Sequence, residues 1–195
     1  MNNIKNFSNE YFSELKKAID GLDSVKIQKI IEVLFEAFKN NKQVFILGNG
    51  GSASNASHFA CDLGKGTLKN VYDMQEKRFK VISLTDNVAT IMAFGNDLSF
   101  EDIFVQQLRN LINPGDIVIG MSGSGNSINV IKAIEYAKVC GAKTIGFLGF
   151  GTGGKLAKIV DYEIIVQNNH YGRIEDIHLV LCHLISDSLA ALKHS

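Results

Sequence analysis

Proline is almost missing from this 195-residue chain, with Pro114 alone, and tryptophan is absent altogether. So little proline leaves long helices unbroken. Cysteine is scarce too: Cys61, Cys140 and Cys182 are odd in number, widely spaced and without a CxxC pair. That excludes a disulfide framework and predicts reduced, mostly buried thiols in a cytoplasmic protein. Net charge is lacking: 20 Lys+Arg balance 20 Asp+Glu, which argues against a broad nucleic-acid-binding face. The polar, amphipathic start MNNIKNFSNEYFSELKKAID has no apolar signal core, and no later run approaches a membrane span. With 46% hydrophobic and 21% charged residues, the chain reads as one globular domain, 1–195, with a full core and no linker or repeat.

Glycine is plentiful, and two glycine/serine loops say most about function. Gly48-Asn49-Gly50-Gly51-Ser52 follows the apolar run 43–47, and Ser122-Gly123-Ser124-Gly125-Asn126-Ser127 follows 117–121. Each is succeeded by a helix-like segment. Glycine lets backbone approach a ligand, a helix start offers free N–H groups, and serine hydroxyls add donors. Two such loops predict a phosphorylated small molecule at the carboxyl edge of a parallel sheet. An ordinary N-cap accounts for Ser127 or Asn126 but leaves Ser122 and Ser124 unexplained. No GxxxxGK[ST] pattern is present, and Gly48-Asn49-Gly50-Gly51-Ser52-Ala53 lacks the last glycine of a dinucleotide fingerprint.

The rest of the chain supplies the scaffold. Helical spacing over about 4–40 is broken at Gly21-Leu22-Asp23-Ser24, with Asp23 or Ser24 as the cap of the second helix. Strands are expected at 43–47, 79–84, 116–121, 143–148 and 162–166. Helices are expected at 52–63, 86–94, 100–112, 126–140, 153–158 and 172–192. The alternation predicts a doubly wound three-layer α/β/α sandwich over 43–195 with a five-stranded parallel sheet, preceded by an N-terminal helical pair over 1–40. That pair either covers the sheet in its own subunit or pairs across subunits, and the several apolar faces of 27–38 point to the second.

Chemistry-bearing residues cluster on two helices. His58 and Asp62, four apart, share a face and suit a metal or acid–base work, although spacing alone favours a partly buried histidine bonded to a surface aspartate. The last helix carries Glu175, Asp176, His178 and His183. Asp86, in Thr85-Asp86-Asn87, is either an N-cap or a ligand for substrate hydroxyls, and Gly149–Gly154 reads as a flexible connection, lid or otherwise.

In order along nearly the whole chain, GNGGSA at 48–53, HF at 58–59, TDN at 85–87, GND at 95–97, SGSGNS at 122–127, GG at 153–154 and RIxxxH at 173–178 followed by His183 resemble the sugar isomerase (SIS) domain, and within it the phosphoheptose isomerase family. The resemblance implies a flavodoxin-like fold and a homotetramer with sites shared between subunits. It implies conversion of sedoheptulose 7-phosphate to D-glycero-D-manno-heptose 7-phosphate through an enediol, with Asp62 and His183 as the acid–base pair. It implies zinc on His58, Asp62, Glu175 and His183. The phosphate would rest on Ser122, Gly123, Ser124 and Ser127; Asn49, Gly50, Gly51 and Ser52 would lie near the sugar, and Asp86 and Asn87 would meet its hydroxyls. The chain departs from the family pattern at Asp62 (usually Glu), Glu175 (usually Gln), Gly123 (usually Thr) and Gly172 (usually acidic). Some SIS domains only sense a sugar phosphate or bind a protein. Such a protein does not need Asp62 and His183 together, which favours an enzyme here, whether for the heptose or for another sugar phosphate.

Overall fold

Runs of β-branched and large apolar residues, hydrophobic on both faces, dictate strands buried from either side. In the computed structural model these become β1 (Gln43–Gly48), β2 (Lys80–Ser83), β3 (Ile117–Ser122), β4 (Lys143–Leu148) and β5 (Tyr162–Ile165). The structure describes residues 2–195, so Met1 of the expected N-terminal segment lies outside the described residues. The helices are α1 (Asn2–Asp20), α2 (Ser24–Lys39), α3 (Gly51–Cys61), α4 (Val88–Asp97), α5 (Ile103–Leu111), α6 (Ile128–Val139) and α7 (Tyr171–His194). All strands are parallel, in the order β2-β1-β3-β4-β5.

Alternation along β1 divides the core. Val44 and Ile46 face a cluster built with α2, α3 and α7, whereas Phe45 and Leu47 face one built with α5 and α6. The order of connection reverses between β1 and β3, which pair with Gly48 opposite Met121. A crevice therefore opens beyond their carboxyl ends, where both glycine/serine loops emerge.

Several expectations change in detail. Asp23, not Ser24, caps α2, accepting from Val25 N at 2.9 Å and Lys26 N at 3.1 Å. Ile27, Ile30, Val33, Leu34 and Ala37 form one stripe, so α2 covers the sheet of its own chain. α1 leaves apolar residues outside, with Phe7 and Phe12 exposed, as does α4, with Val88 and Met92 exposed. α1 is moored to the start of α7, where Tyr11 donates to Asp176 Oδ2 at 2.6 Å and lies under the Arg173 guanidinium. The helix expected at 153–158 shrinks to a 3₁₀ turn, Leu156–Lys158, because Gly153 and Gly154 hold positive φ. The helix expected from 52 starts one residue earlier and ends at Cys61 in a π-turn, Asp62–Gly66. Of the thiols only Cys182 is buried; Cys61 is exposed and Cys140 half-buried. Among the described residues no helix is long and apolar enough to cross a membrane.

His178, on the inner face of α7, is fully buried, with Nε2 3.1 Å from the Leu148 carbonyl at the end of β4. Burial pulls its pKa down to about 4, from an ordinary 6.5. The unfolded chain therefore takes up a proton that the folded chain refuses, so stability is full above about pH 6.5 and falls as the pH drops toward about 4. Denaturant titrations over that window are expected to show a loss approaching about 3 kcal/mol from this residue. In His178→Gln, less stable at neutral pH, the loss should flatten by that amount.

Candidate active site

The first loop sets the reference. Gly50 and Gly51 turn the chain from β1 into α3, and Ser52 is buried at the first turn of that helix. Asn49 and Asn129 exchange amide hydrogen bonds at 2.8 and 2.9 Å, tying the first loop to the helix that follows the second. Spacing does not single out Asn129; the signal the sequence offers is an asparagine in the first turn after a serine loop.

The second loop is braced from behind. Gly125 has φ +62°, and a Cβ there would run into the Gly153 carbonyl. Leu156 N donates to Gly125 O at 3.0 Å, and Lys155 N to Asn126 Oδ1 at 3.1 Å. The segment 149–156 is thus a buttress for the serine loop, not a flap over it. Ser127 occupies the N-cap position of α6 without making a side-chain cap bond. Its hydroxyl lies 3.2 Å from that of Ser122; Ser122 Oγ accepts from Gly125 N at 3.1 Å and Ser124 Oγ from Asn126 N at 3.2 Å, so these two oxygens brace the loop's own turn while their O–H groups can still donate into the cavity.

Both loops face one cavity of about 260 Å³, lined by Asn49, Gly50, Gly51, Ser52, Met121, Ser122, Gly123, Ser124, Ser127, Tyr171 and Glu175. No lysine or arginine is among these lining residues. An anion held there would rest on neutral donors and the amino ends of α3 and α6. A roomier groove of about 640 Å³, beside Phe38, Glu76 and Lys193, contains none of the loop residues. Glu175 stands over Gly51, where any Cβ would collide with its carboxylate. Asn55 Nδ2 donates to the Glu175 carbonyl at 2.9 Å, fixing that turn of α7 against α3. Burial first, and the Asp176 charge second, raise the Glu175 pKa.

Farther along the same two helices, His58, Asp62 and His183 present ligand atoms all within 4.8 Å of one another. The two imidazole Nε2 atoms are 2.8 Å apart. Asp62 Oδ2 lies 3.2 Å from His58 Nε2 and 3.8 Å from His183 Nε2. Exposure is the reverse of the plain surface pair: the His58 and His183 side chains are 44% and 54% exposed and that of Asp62 only 22%. Asp62 Oδ2 is buried and accepts no hydrogen bond. An orphaned carboxylate oxygen facing two imidazole nitrogens fits a divalent metal. Glu175 is not in this group. Although one methylene shorter than glutamate, Asp62 reaches both imidazoles from the start of the π-turn.

Asp86 is not a cap. Asn87 caps α4, accepting from Thr90 N at 3.1 Å, whereas Asp86 is exposed and takes a hydrogen bond from Ser57. Tyr171, at the mouth of the cavity, was missed because one tyrosine at a helix start carries no spacing signal.

The SIS domain family matches residues 9–149. A phosphoheptose isomerase of Helicobacter pylori is 36% identical over 175 residues, 90% of this chain and 88% of that protein. One of Geotalea daltonii is 40% identical over 166 residues, 85% and 83% of the two chains. The structure of the phosphoheptose isomerase from Neisseria gonorrhoeae superposes with a TM-score of 0.86 at 27% identity, covering 97% of this chain and 98% of that one. The fold and site define an SIS-domain protein. Within that class the chain belongs to the phosphoheptose isomerase family.

Gly51→Ala is expected to push the Glu175 carboxylate aside and lower affinity for a sugar phosphate about tenfold. Because the clash is with the far end of a flexible side chain, the unfolding temperature should stay close to wild type; calorimetric titration beside a melting curve checks both.

Proposed function

We propose that this isomerase interconverts sedoheptulose 7-phosphate and D-glycero-D-manno-heptose 7-phosphate, the first step toward a nucleotide-activated heptose, as one SIS domain working in the cytoplasm. The observation that carries the reading is the placement of two different sites on one helix pair. Ser52 opens α3 at the phosphate cavity, and His58 and Asp62 lie six and ten residues on, about 9 to 15 Å along the axis. A seven-carbon chain extended from a terminal phosphate spans close to the lower figure, at roughly 1.3 Å per carbon–carbon bond. Phosphate on Ser122, Gly123, Ser124 and Ser127 thus leaves the C1–C2 end near the His58–Asp62–His183 group. Asn49, Gly50, Gly51, Ser52 and Glu175 flank the chain between, with Asp86 and Asn87 beyond the Ser57 contact for its hydroxyls.

In the ketose-to-aldose direction Asp62 takes a proton from C1 while His183 gives one to the C2 carbonyl oxygen, forming the enediol. Asp62 returns its proton to C2 and His183 receives the proton of the C1 hydroxyl, which leaves the C1 aldehyde and restores both groups. Zinc on His58, Asp62 and His183 would act as a Lewis acid on the carbonyl oxygen. Loading with metal and acid catalysis by His183 draw on the same Nε2 lone pair, so comparing loaded with stripped protein separates them. A homotetramer is part of the proposal, supported by the apolar residues that α1 leaves outside.

Proton NMR of the protein with sedoheptulose 7-phosphate is expected to show new aldose anomeric signals, and their loss on chelation would make His183 a metal ligand and give its role at the carbonyl oxygen to the metal. Turnover that survives chelation would assign the acid to His183 without metal. Binding without turnover in either sample would make the chain a sugar-phosphate sensor or point to another substrate. His183→Ala should lower kcat by about 10² to 10⁴ with the fold intact. Ser124→Ala should weaken sugar-phosphate binding about tenfold, one hydrogen bond to a charged group.

A further inference from the structure

Among the six residues of the second loop, Gly123 stands between hydroxyls and has none of its own. The space beside it is occupied. A Cβ at Gly123 would lie 3.2 Å from both Cδ1 and Cε1 of Tyr171, tighter than a side chain ordinarily accepts. On its other side Tyr171 meets Phe150 edge to face, ring centroids 4.8 Å apart and planes at 75°. Phe150 has φ +50° and packs against the core. A phenylalanine in the left-handed region is strained and persists only where its surroundings hold it, a condition that concentrates at ligand clamps. The Tyr171 ring is therefore clamped between Phe150 and Gly123, yet the residue is 56% exposed and lines the cavity with the serines. Where this chain lines an anion site with no lysine or arginine, each neutral donor it places counts, and a phenol on a packed ring is a donor with little rotamer freedom to lose.

We propose that Tyr171 is a substrate-binding residue whose hydroxyl donates to the phosphate group, supplying the donor that Gly123 lacks; this rests on the phosphate reading of the serine loop. Gly123 and Tyr171 then act as a pair: the glycine makes room for the ring, and the ring carries the hydroxyl.

The test uses inorganic phosphate and sedoheptulose 7-phosphate as probes, by calorimetric titration of the full chain. Tyr171→Phe keeps the ring and its packing on Phe150, so a structural role predicts wild-type affinity. The proposal predicts a loss of about tenfold for both probes, one charge-assisted hydrogen bond. Wild-type affinity in Tyr171→Phe would overturn it. Tyr171→Ala removes the ring and opens the space over residue 123, where the next neighbour of a Cβ is Ile174 Cγ2 at 3.7 Å. Adding Gly123→Ser to Tyr171→Ala should then recover affinity, at least severalfold over Tyr171→Ala alone; no recovery would overturn the pairing. If wild-type protein binds neither probe, the phosphate reading itself has failed. If wild type binds and Tyr171→Phe binds equally, only the role of Tyr171 has.

Discussion

Everything chemical in this protein depends on how closely α3 can approach α7. At one end Gly51 leaves the space that the Glu175 carboxylate occupies, where any larger residue would put its Cβ. Asn55 locks the same turn through the Glu175 carbonyl. Two turns on, His58 and His183 face each other with Nε2 atoms 2.8 Å apart. A side chain at 51 would displace the Glu175 carboxylate and the cavity would lose part of its wall. Buried residues of both helices, Phe59 from α3 and Ile177, Leu181 and Ile185 from α7, share one apolar cluster that holds the approach.

The electrostatic division follows from that frame. At one end the sheet's switch point directs backbone amides and hydroxyls at a cavity that no lysine or arginine lines. Such a site favours an anion through fixed dipoles and avoids the desolvation cost of a buried cation. At the other end a buried carboxylate oxygen without a hydrogen bond faces two imidazoles. An oxygen in that state is costly until a cation or a proton meets it. One helix pair thus carries a serine-lined cavity at one end and a His–Asp–His group farther along.

Three departures from the family pattern acquire a physical setting. Asp62 enters a π-turn, a feature frequent at functional sites, and keeps its reach to both histidines. Glu175 faces the cavity, outside the His58–Asp62–His183 group. Gly172 leaves room where a Cβ would come within 3.4 Å of the Tyr11 hydroxyl, which helps α1 dock on the start of α7.

Local chemistry settled much of this in advance. Apolar runs ending in glycine and serine determined five strands and the loops that follow them, because strand propensity and helix-start geometry act over a few residues. The i, i+4 spacing put His58 and Asp62 on one face, as any helix must. What the tertiary structure decided was which distant groups meet. Only packing could carry His183 to His58 across 125 positions while leaving Glu175 out of that group. Only packing could seat Tyr171 over Gly123, turn the 149–156 segment into a buttress, and bury α2 within its own chain. Those outcomes depend on side-chain volumes from elements far apart in sequence, and volume exclusion has no signature in local spacing.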